Sequence, residues 1–151
     1  PADTNSLDNL FGGELLARMD KVASIAAIKH SEQIVVTASI NNVAFGEPVP
    51  NGSILTIEAK VSRAFNTSME VFIDVWKQNK THKKRVKVNE AIYTFVAVSK
   101  SGKTVKVPPL VPETELEKKR FDAALRRRQL SLVLAGKMKA NEATELKAIF
   151  D

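Results

Sequence analysis

The 151-residue chain has no cysteine. That excludes a disulfide framework, thiolate-ligated zinc, iron–sulfur clusters and thiol catalysis, and it leads to the expectation of a cytoplasmic protein. With only two histidines, a multi-histidine metal site is not expected either. No apolar run approaches the roughly 20 residues that span a bilayer, so no membrane association is expected. Aromatic residues are 6% of the chain, and none forms a platform interleaved with the basic residues, which argues against nucleic-acid binding. Six glycines and six prolines are too few for a collagenous or low-complexity chain.

What is present is ordinary globular material: 44% hydrophobic and 26% charged residues. At roughly 100–200 residues per domain, this is one domain or one domain with an appendage. The net charge of +6 favours anionic partners, although a basic face that is merely solvated explains it equally well.

Pro1–Phe11 is rich in turn formers. After Gly12-Gly13, the apolar residues Leu15, Leu16, Met19, Val22, Ala23, Ala26 and Ala27 recur at helical spacing. They form a stripe about 140° wide, with Glu14, Arg18 and Lys21 opposite. Asp20 falls at the edge of the stripe, and Ser24 one turn further on. Gln33–Asn42 is extended, and Leu55–Ser62 and Met69–Trp76 alternate as half-buried strands. Val86–Ser99 ends in the apolar run of a central strand, and Thr104–Val107 is expected to extend the sheet. Phe45, Trp76 and Phe95 read as core. Lys77–Arg85 and Arg126–Arg128 read as solvated basic runs, with His82 in the first of them. His30 is expected at the C-terminal end of the first helix. Thr114 and Glu117 form a capping box that opens a charged helix from Glu115 to about Gln129. Gly136 breaks the chain, and Asn141 is expected to cap a last helix over 142–150. One long helix followed by four or more antiparallel strands predicts an α+β fold with open sheet edges. Open edges favour pairing into dimers.

Two features suggest chemistry. The first turn of a helix leaves backbone N–H groups unpaired at the positive end of its dipole. Glycines at Gly12 and Gly13 would let a carbonyl approach those groups, which would stabilise a developing oxyanion. Asp20 lies seven to eight residues further on, about 11–12 Å along the axis, so it shares a groove with them only if a substrate lies along the helix. The bland reading is a tight helix start and a solvated aspartate.

The order of these residues, Pro1-Ala-Asp-Thr-Asn-Ser-Leu-Asp-Asn-Leu-Phe-Gly-Gly13 followed by Met19-Asp20, resembles the opening motif of hot-dog-fold acyl-CoA thioesterases. The resemblance continues through Phe45-x-x-Pro48-Val-x-x-Gly52, Thr67-Ser-Met-Glu-Val71, Phe95-Val-Ala-Val98, Gly102 and Val107-Pro-Pro-Leu-Val-Pro-Glu113, over roughly residues 1–120. It looks closest to the single-domain cytosolic acyl-CoA hydrolases. The resemblance implies a curled antiparallel sheet wrapped around one long helix in a hot-dog domain over residues 1–111. The family's usual first strand is then expected upstream of Pro1, and a C-terminal helical extension over 112–151. It implies hydrolysis of acyl-CoA to fatty acid and coenzyme A without a cofactor. Asp20 matches the catalytic acid, as general base or nucleophile, and Asn5 a catalytic asparagine opposite the neighbouring subunit's aspartate. Gly13, with Gly12 beside it, matches the oxyanion donor. Arg63, Asn66, Thr67 and Ser68 fall on the segment that lines the coenzyme A groove. The implied assembly is a homodimer with active sites at the interface, extended to a trimer of dimers. In two places the chain departs from the pattern. Asp8 stands at the usual glycine, in a position calling for positive φ, and Ser24 offers a hydroxyl one turn beyond Asp20. The alternative within the same fold is a non-catalytic acyl-CoA-binding or interaction module.

Overall fold

The stripe on the first helix finds its partner in a sheet whose inner face is almost wholly apolar. The computed structural model describes residues 2–81 and 83–150, so Pro1, His82 and Asp151 lie outside the described residues. Helix α1 (Gly12–Ser31) is followed by β1 (Ile34–Phe45), β2 (Ile54–Ala64), β3 (Ser68–Gln78) and β4 (Val86–Val98). The four strands form one antiparallel sheet in the order β1-β4-β3-β2. This is the α+β arrangement expected, with β1 and β2 as the free edges.

Packing selects the residues that the alternation pointed to. Met19, Ala23 and Ala27 of α1 are fully buried against Met69, Val71, Ile73, Val75, Tyr93 and Phe95. Burial of each large side chain contributes about 1.5–3 kcal/mol. The alanines let the helix axis come close to the sheet. α1 ends at Glu32, which takes φ 56° and closes on the Ile28 carbonyl, a left-handed cap usually given to glycine.

The opposite face of β3 carries Glu70, Phe72, Asp74 and Trp76. A second helix, α2 (Glu115–Leu134), covers it. Its start is the expected capping box: Thr114 Oγ1 accepts from the Glu117 N–H at 3.1 Å, and the Glu117 carboxylate accepts from the Thr114 N–H at 3.2 Å. α2 buries little apolar surface and is held by charge. Arg120 grips Asp74 through both terminal nitrogens at 3.0 and 3.3 Å, and Lys87 reaches the same carboxylate at 2.6 Å. Arg127 grips Glu70 at 2.7 and 2.9 Å, and Ser62 adds a hydroxyl at 2.6 Å. Arg128 lies over the Phe65 ring. The run 126–128 is therefore no solvated face, because Arg127 is spent on β3 and Arg128 on the β2–β3 turn. Arg85 likewise stacks on Trp76 and bonds Glu58.

Three expected elements differ. α2 runs on through Leu134 to a break near Gly136, whose φ is 71°. Thr104–Val107 makes no strand. It touches β4 through an isolated bridge to Val98 and the Val105 N–H to the Ala97 carbonyl, because Pro108 and Pro109 turn the chain away. The final helix is reduced to a 3-10 turn, Ala140–Glu142, and one short helix, α3 (Thr144–Lys147). Asn141 sits inside the turn and caps nothing. The tail is tied back where the Leu146 N–H donates to Gln129 Oε1 at 3.0 Å.

Burial alone would disfavour the charge on Asp74, but the bonds and charges of Lys87 and Arg120 outweigh it and hold its carboxyl below the ordinary value of 3.8. This contribution to stability is complete above that value and is lost as the pH falls through the lower folded one. Arg120→Ala should cost about 1.5–3 kcal/mol in urea unfolding near neutral pH, since it removes both charged hydrogen bonds from one side of a nearly buried carboxylate and leaves it to Lys87. Asp74→Asn should flatten the acid limb of the stability curve. An unchanged acid limb would show that the clamp carries no net stability.

Candidate functional site

Asp20 is half-buried, at the rim of the α1 stripe, and its Oδ1 accepts a 2.7 Å hydrogen bond from Thr37 Oγ1 on β1. Thr37 was missed in the sequence, where it is one more β-branched residue of an extended run. The signal that places it is structural. β1 pairs with β4 regularly as far as Thr37↔Phe95, then slips, so that Ser39 opposes Thr94 and Ile40 opposes Tyr93. A bulge of this kind re-aims side chains along a strand. Thr37 stays on the α1 side of the sheet, and Ile40 returns to it.

Tyr93 stands between the two elements. It is fully buried, and its hydroxyl donates to the Leu16 carbonyl at 2.9 Å, one turn before Asp20. Burial, with the Asp20 carboxylate adding to it, pushes the phenol up to about 12. Tyr93 thus stays protonated and fixes α1 against β4 beside the acid.

Gly12 and Gly13 form the first turn of α1, which has no side-chain cap. Their roles differ. A Cβ on Gly12 would stand 3.0 Å from the Phe45 ring, whereas a Cβ on Gly13 would meet nothing within 4 Å. Gly13 therefore faces open space at the positive end of the helix, and Gly12 is a packing glycine. Phe45, expected in the core, is 56% exposed and lies over Gly12 instead. Trp76 is partly covered by Arg85 and Lys87, and only Phe95 is core as expected.

Asn5 is not joined to Asp20 within the chain. Its Oδ1 accepts the N–H groups of Leu7 at 3.0 Å and Asn9 at 3.2 Å, so the carboxamide shapes its own loop. Asp8, in that loop, takes φ 56° and is held by its N–H to the Asn5 carbonyl and by the Asn51 N–H to its own carbonyl. The left-handed conformation expected at this position is present without its glycine. Ser24 donates to the Lys21 carbonyl at 2.8 Å and does not serve Asp20.

The 63–68 segment lies across the sheet from Thr37, at the end of the cross-strand row Thr37, Phe95, Met69 and Ala64. Arg63 stacks on the Phe121 ring at 3.9 Å and donates to the Phe121 carbonyl, so α2 already orients its guanidinium. Asn66 and Thr67 form the β2–β3 turn. Their carbonyls accept from Val107 and Ala97, and Ser68 is buried. His30, at the end of α1 as expected, bonds the Pro108 carbonyl at 2.8 Å through Nε2. A cavity of about 570 Å³ opens between β2, the 110–114 segment and α2, and it contains none of the residues named for catalysis or coenzyme A binding. No helix among the described residues is long and apolar enough to cross a membrane.

Comparison with known proteins places the chain in a family. Residues 7–84 match the thioesterase superfamily model. The chain is 39% identical to an uncharacterized acyl-CoA thioester hydrolase of Bacillus subtilis, over 84% of this chain and 74% of that protein. It is 36% identical to the human cytosolic acyl coenzyme A thioester hydrolase over 81% of this chain but only 33% of the human one. A hexameric acyl-CoA thioesterase superposes with a TM-score of 0.85 at 39% identity, covering 89% of this chain and 86% of that one. The acyl-CoA hydrolase of Staphylococcus aureus, solved with butyryl coenzyme A, coenzyme A and coenzyme A disulfide, superposes with a TM-score of 0.82 at 36% identity, covering 98% and 89%. That hydrolase has also been solved with single alanine substitutions of an asparagine, an aspartate and a threonine. Their spacing, 15 and then 17 residues, is that of Asn5, Asp20 and Thr37.

Tyr93 contributes stability that is complete below pH 10 and is lost as the pH rises from 10 towards about 12. Tyr93→Phe should abolish that alkaline decline and cost about 1 kcal/mol at neutral pH, the usual net worth of one hydrogen bond. Thermal melts at pH 7 and across pH 9–12 would test both. A decline that persists in the variant would assign it to another group.

Proposed function

The chain belongs to the thioesterase superfamily, and on that premise we propose that it hydrolyses acyl-CoA to a carboxylic acid and coenzyme A. The observation that carries this reading is the Asp20–Thr37 pair, set on the same side of the sheet as an uncapped, glycine-started helix. Thr37 occupies one carboxylate oxygen, and among the described residues no side chain donates to the other, which is free to take water. Asp20 removes a proton as that water attacks the thioester carbonyl carbon. The developing oxyanion is met by the N–H at Gly13, where the backbone is open to approach. The C–S bond then breaks, and the proton passes to the leaving thiolate. No group beyond these is needed to balance the reaction. Thr37 fixes the carboxylate and keeps its lone pair aimed.

In one chain this site is open. Thr37 is exposed, and around it on the free edge strand β1 lie Ile34, Val36, Ile40 and Phe45, between 40% and 56% exposed. Such an apolar edge supports pairing with a second copy. The hexameric relative favours an oligomer, and in a dimer the partner subunit would supply to Asp20 the asparagine that is not hydrogen-bonded to it within this chain. Arg63 and the 66–68 turn remain the candidates for the coenzyme A groove, with Arg63 pre-oriented by α2. The name of the cytosolic human relative supports a cytoplasmic enzyme.

Thiol release from a panel of acyl-CoAs tests the reading. Asp20→Ala should lower kcat at least a hundredfold, and Thr37→Val roughly ten- to a hundredfold with little change in KM, as for a group that acts through the base. Release that survives Asp20→Ala would refute this site. In sedimentation the active species should be an even multiple of the 16.6 kDa chain. A fully active monomer would remove the second subunit from the mechanism.

A further inference from the structure

The arginines of the chain divide by what their guanidinium groups meet. Arg18, Arg85, Arg120 and Arg127 each pair with a carboxylate. Arg63 and Arg128 have no carboxylate partner among the described residues, yet both are half-buried and held. Arg63 is stacked on Phe121 at 3.9 Å and spends one N–H on the Phe121 carbonyl, and Arg128 lies over Phe65 at 5.4 Å. Arg63 even stands cross-strand from Glu70, but Arg127 takes both oxygens of that carboxylate. Stacking occupies the face of a guanidinium and leaves its N–H edge to a ligand. Phe121 and Arg128, seven residues apart on α2, share one side of the helix, so β2 and α2 each bring one such fork to the β2–β3 turn. Arg126, the remaining unpaired arginine, lies about 140° round the helix from Phe121.

The surroundings carry the same sign. The 99–107 segment is tied to the turn by the Val107 N–H, which donates to the Asn66 carbonyl, and it adds exposed Lys100, Lys103 and Lys106. Residues 61–69, 91–112 and 123–130 contain no aspartate or glutamate. This end of the sheet therefore presents an unopposed positive field. It is also the end that borders the proposed reaction. In the cross-strand row that starts at Thr37, Met69 is the second residue of β3 and Ala64 the last of β2.

Planar forks match the oxygens of phosphate in two-pronged geometry. An acyl chain offers no charge, so the anion on the substrate of this reaction belongs to its coenzyme A part. Two forks at one turn suit a phosphate monoester, which carries about two negative charges and three terminal oxygens. Each phosphorus of the diphosphate bridge has a single charge and only two free oxygens. We propose that Arg63 and Arg128 together hold the 3′-phosphate of coenzyme A, and that Arg128 makes the enzyme specific for thioesters that carry it. This rests on the thioesterase reading and deepens it.

The experiment compares kcat/KM for one acyl-CoA with that for the same acyl thioester of 3′-dephospho-coenzyme A, the acyl chain being the one released fastest in the panel. It is run in the parent and in Arg128→Gln, Arg63→Gln and Arg126→Gln. The parent should favour the 3′-phosphorylated thioester at least tenfold, mainly through KM. Arg128→Gln should bring the ratio close to one, Arg63→Gln should lower it at least threefold, and Arg126→Gln should keep the parent ratio. Should Arg63→Gln not fold, Arg128→Gln carries the test, because Arg128 donates no hydrogen bond among the described residues. A parent ratio within twofold, a ratio that survives Arg128→Gln, or a ratio lost equally in Arg126→Gln would each overturn the proposal. So would an equal loss on both thioesters in Arg128→Gln, which would assign that arginine to the diphosphate bridge or to the fold alone. Release from acyl-CoA without preference would defeat this inference alone, whereas no release from any acyl-CoA of the panel would defeat the thioesterase reading beneath it.

Discussion

Everything in this protein is referred to one contact, the apolar stripe of α1 laid on the inner face of the sheet. Met19, Ala23 and Ala27 are wholly buried there, and the small alanines set how closely the helix axis approaches. Because Asp20 adjoins Met19, seating the stripe fixes the acid at the rim, half in and half out of the core. Tyr93 then removes the remaining freedom by bonding the Leu16 carbonyl. A helix free to roll by one residue, about 100°, would bury Asp20 or carry it out of reach of Thr37.

The outer face is organised by a different force. α2 offers the sheet few apolar side chains, and its arginines meet carboxylates that project from β3. Glu70 and Asp74 would be expensive to cover without those partners, and Arg120 and Arg127 satisfy them in two-pronged geometry. The same helix presents Phe121 to Arg63. The position of α2 on the back of the sheet thereby sets the direction of a guanidinium near the β2–β3 turn, a link between the outer helix and the groove proposed for coenzyme A.

The local elements were legible because their signals are local. The 3.6-residue period of α1, the alternation in β2 and β3, and the reciprocal capping of Thr114 and Glu117 each depend on neighbours within one turn or one strand. The motif resemblance supplied Asp20, Asn5 and the glycine pair, and with them the family. Where expectation and structure part, the deciding contact is distant in sequence. Phe45 looked like core and lies over Gly12. Arg127 looked solvated and is spent on Glu70, 57 residues away. Thr37 carried no signal, because its role arises from the cross-strand register that sets it opposite Phe95 on the α1 side of the sheet.

The sequence by itself determined the helix with its acid at the margin of an apolar stripe, the strands, the capped start of α2 and the membership of the family, since periodicity, capping and motif order are written along the chain. Only the tertiary structure decided which residues meet. It set Thr37 on Asp20, separated the open Gly13 from the packed Gly12 and turned the Asn5 carboxamide into its own loop. Those outcomes depend on strand register and on the distance between helix and sheet. Both are fixed by the sum of many weak contacts, and no single stretch of sequence records that sum.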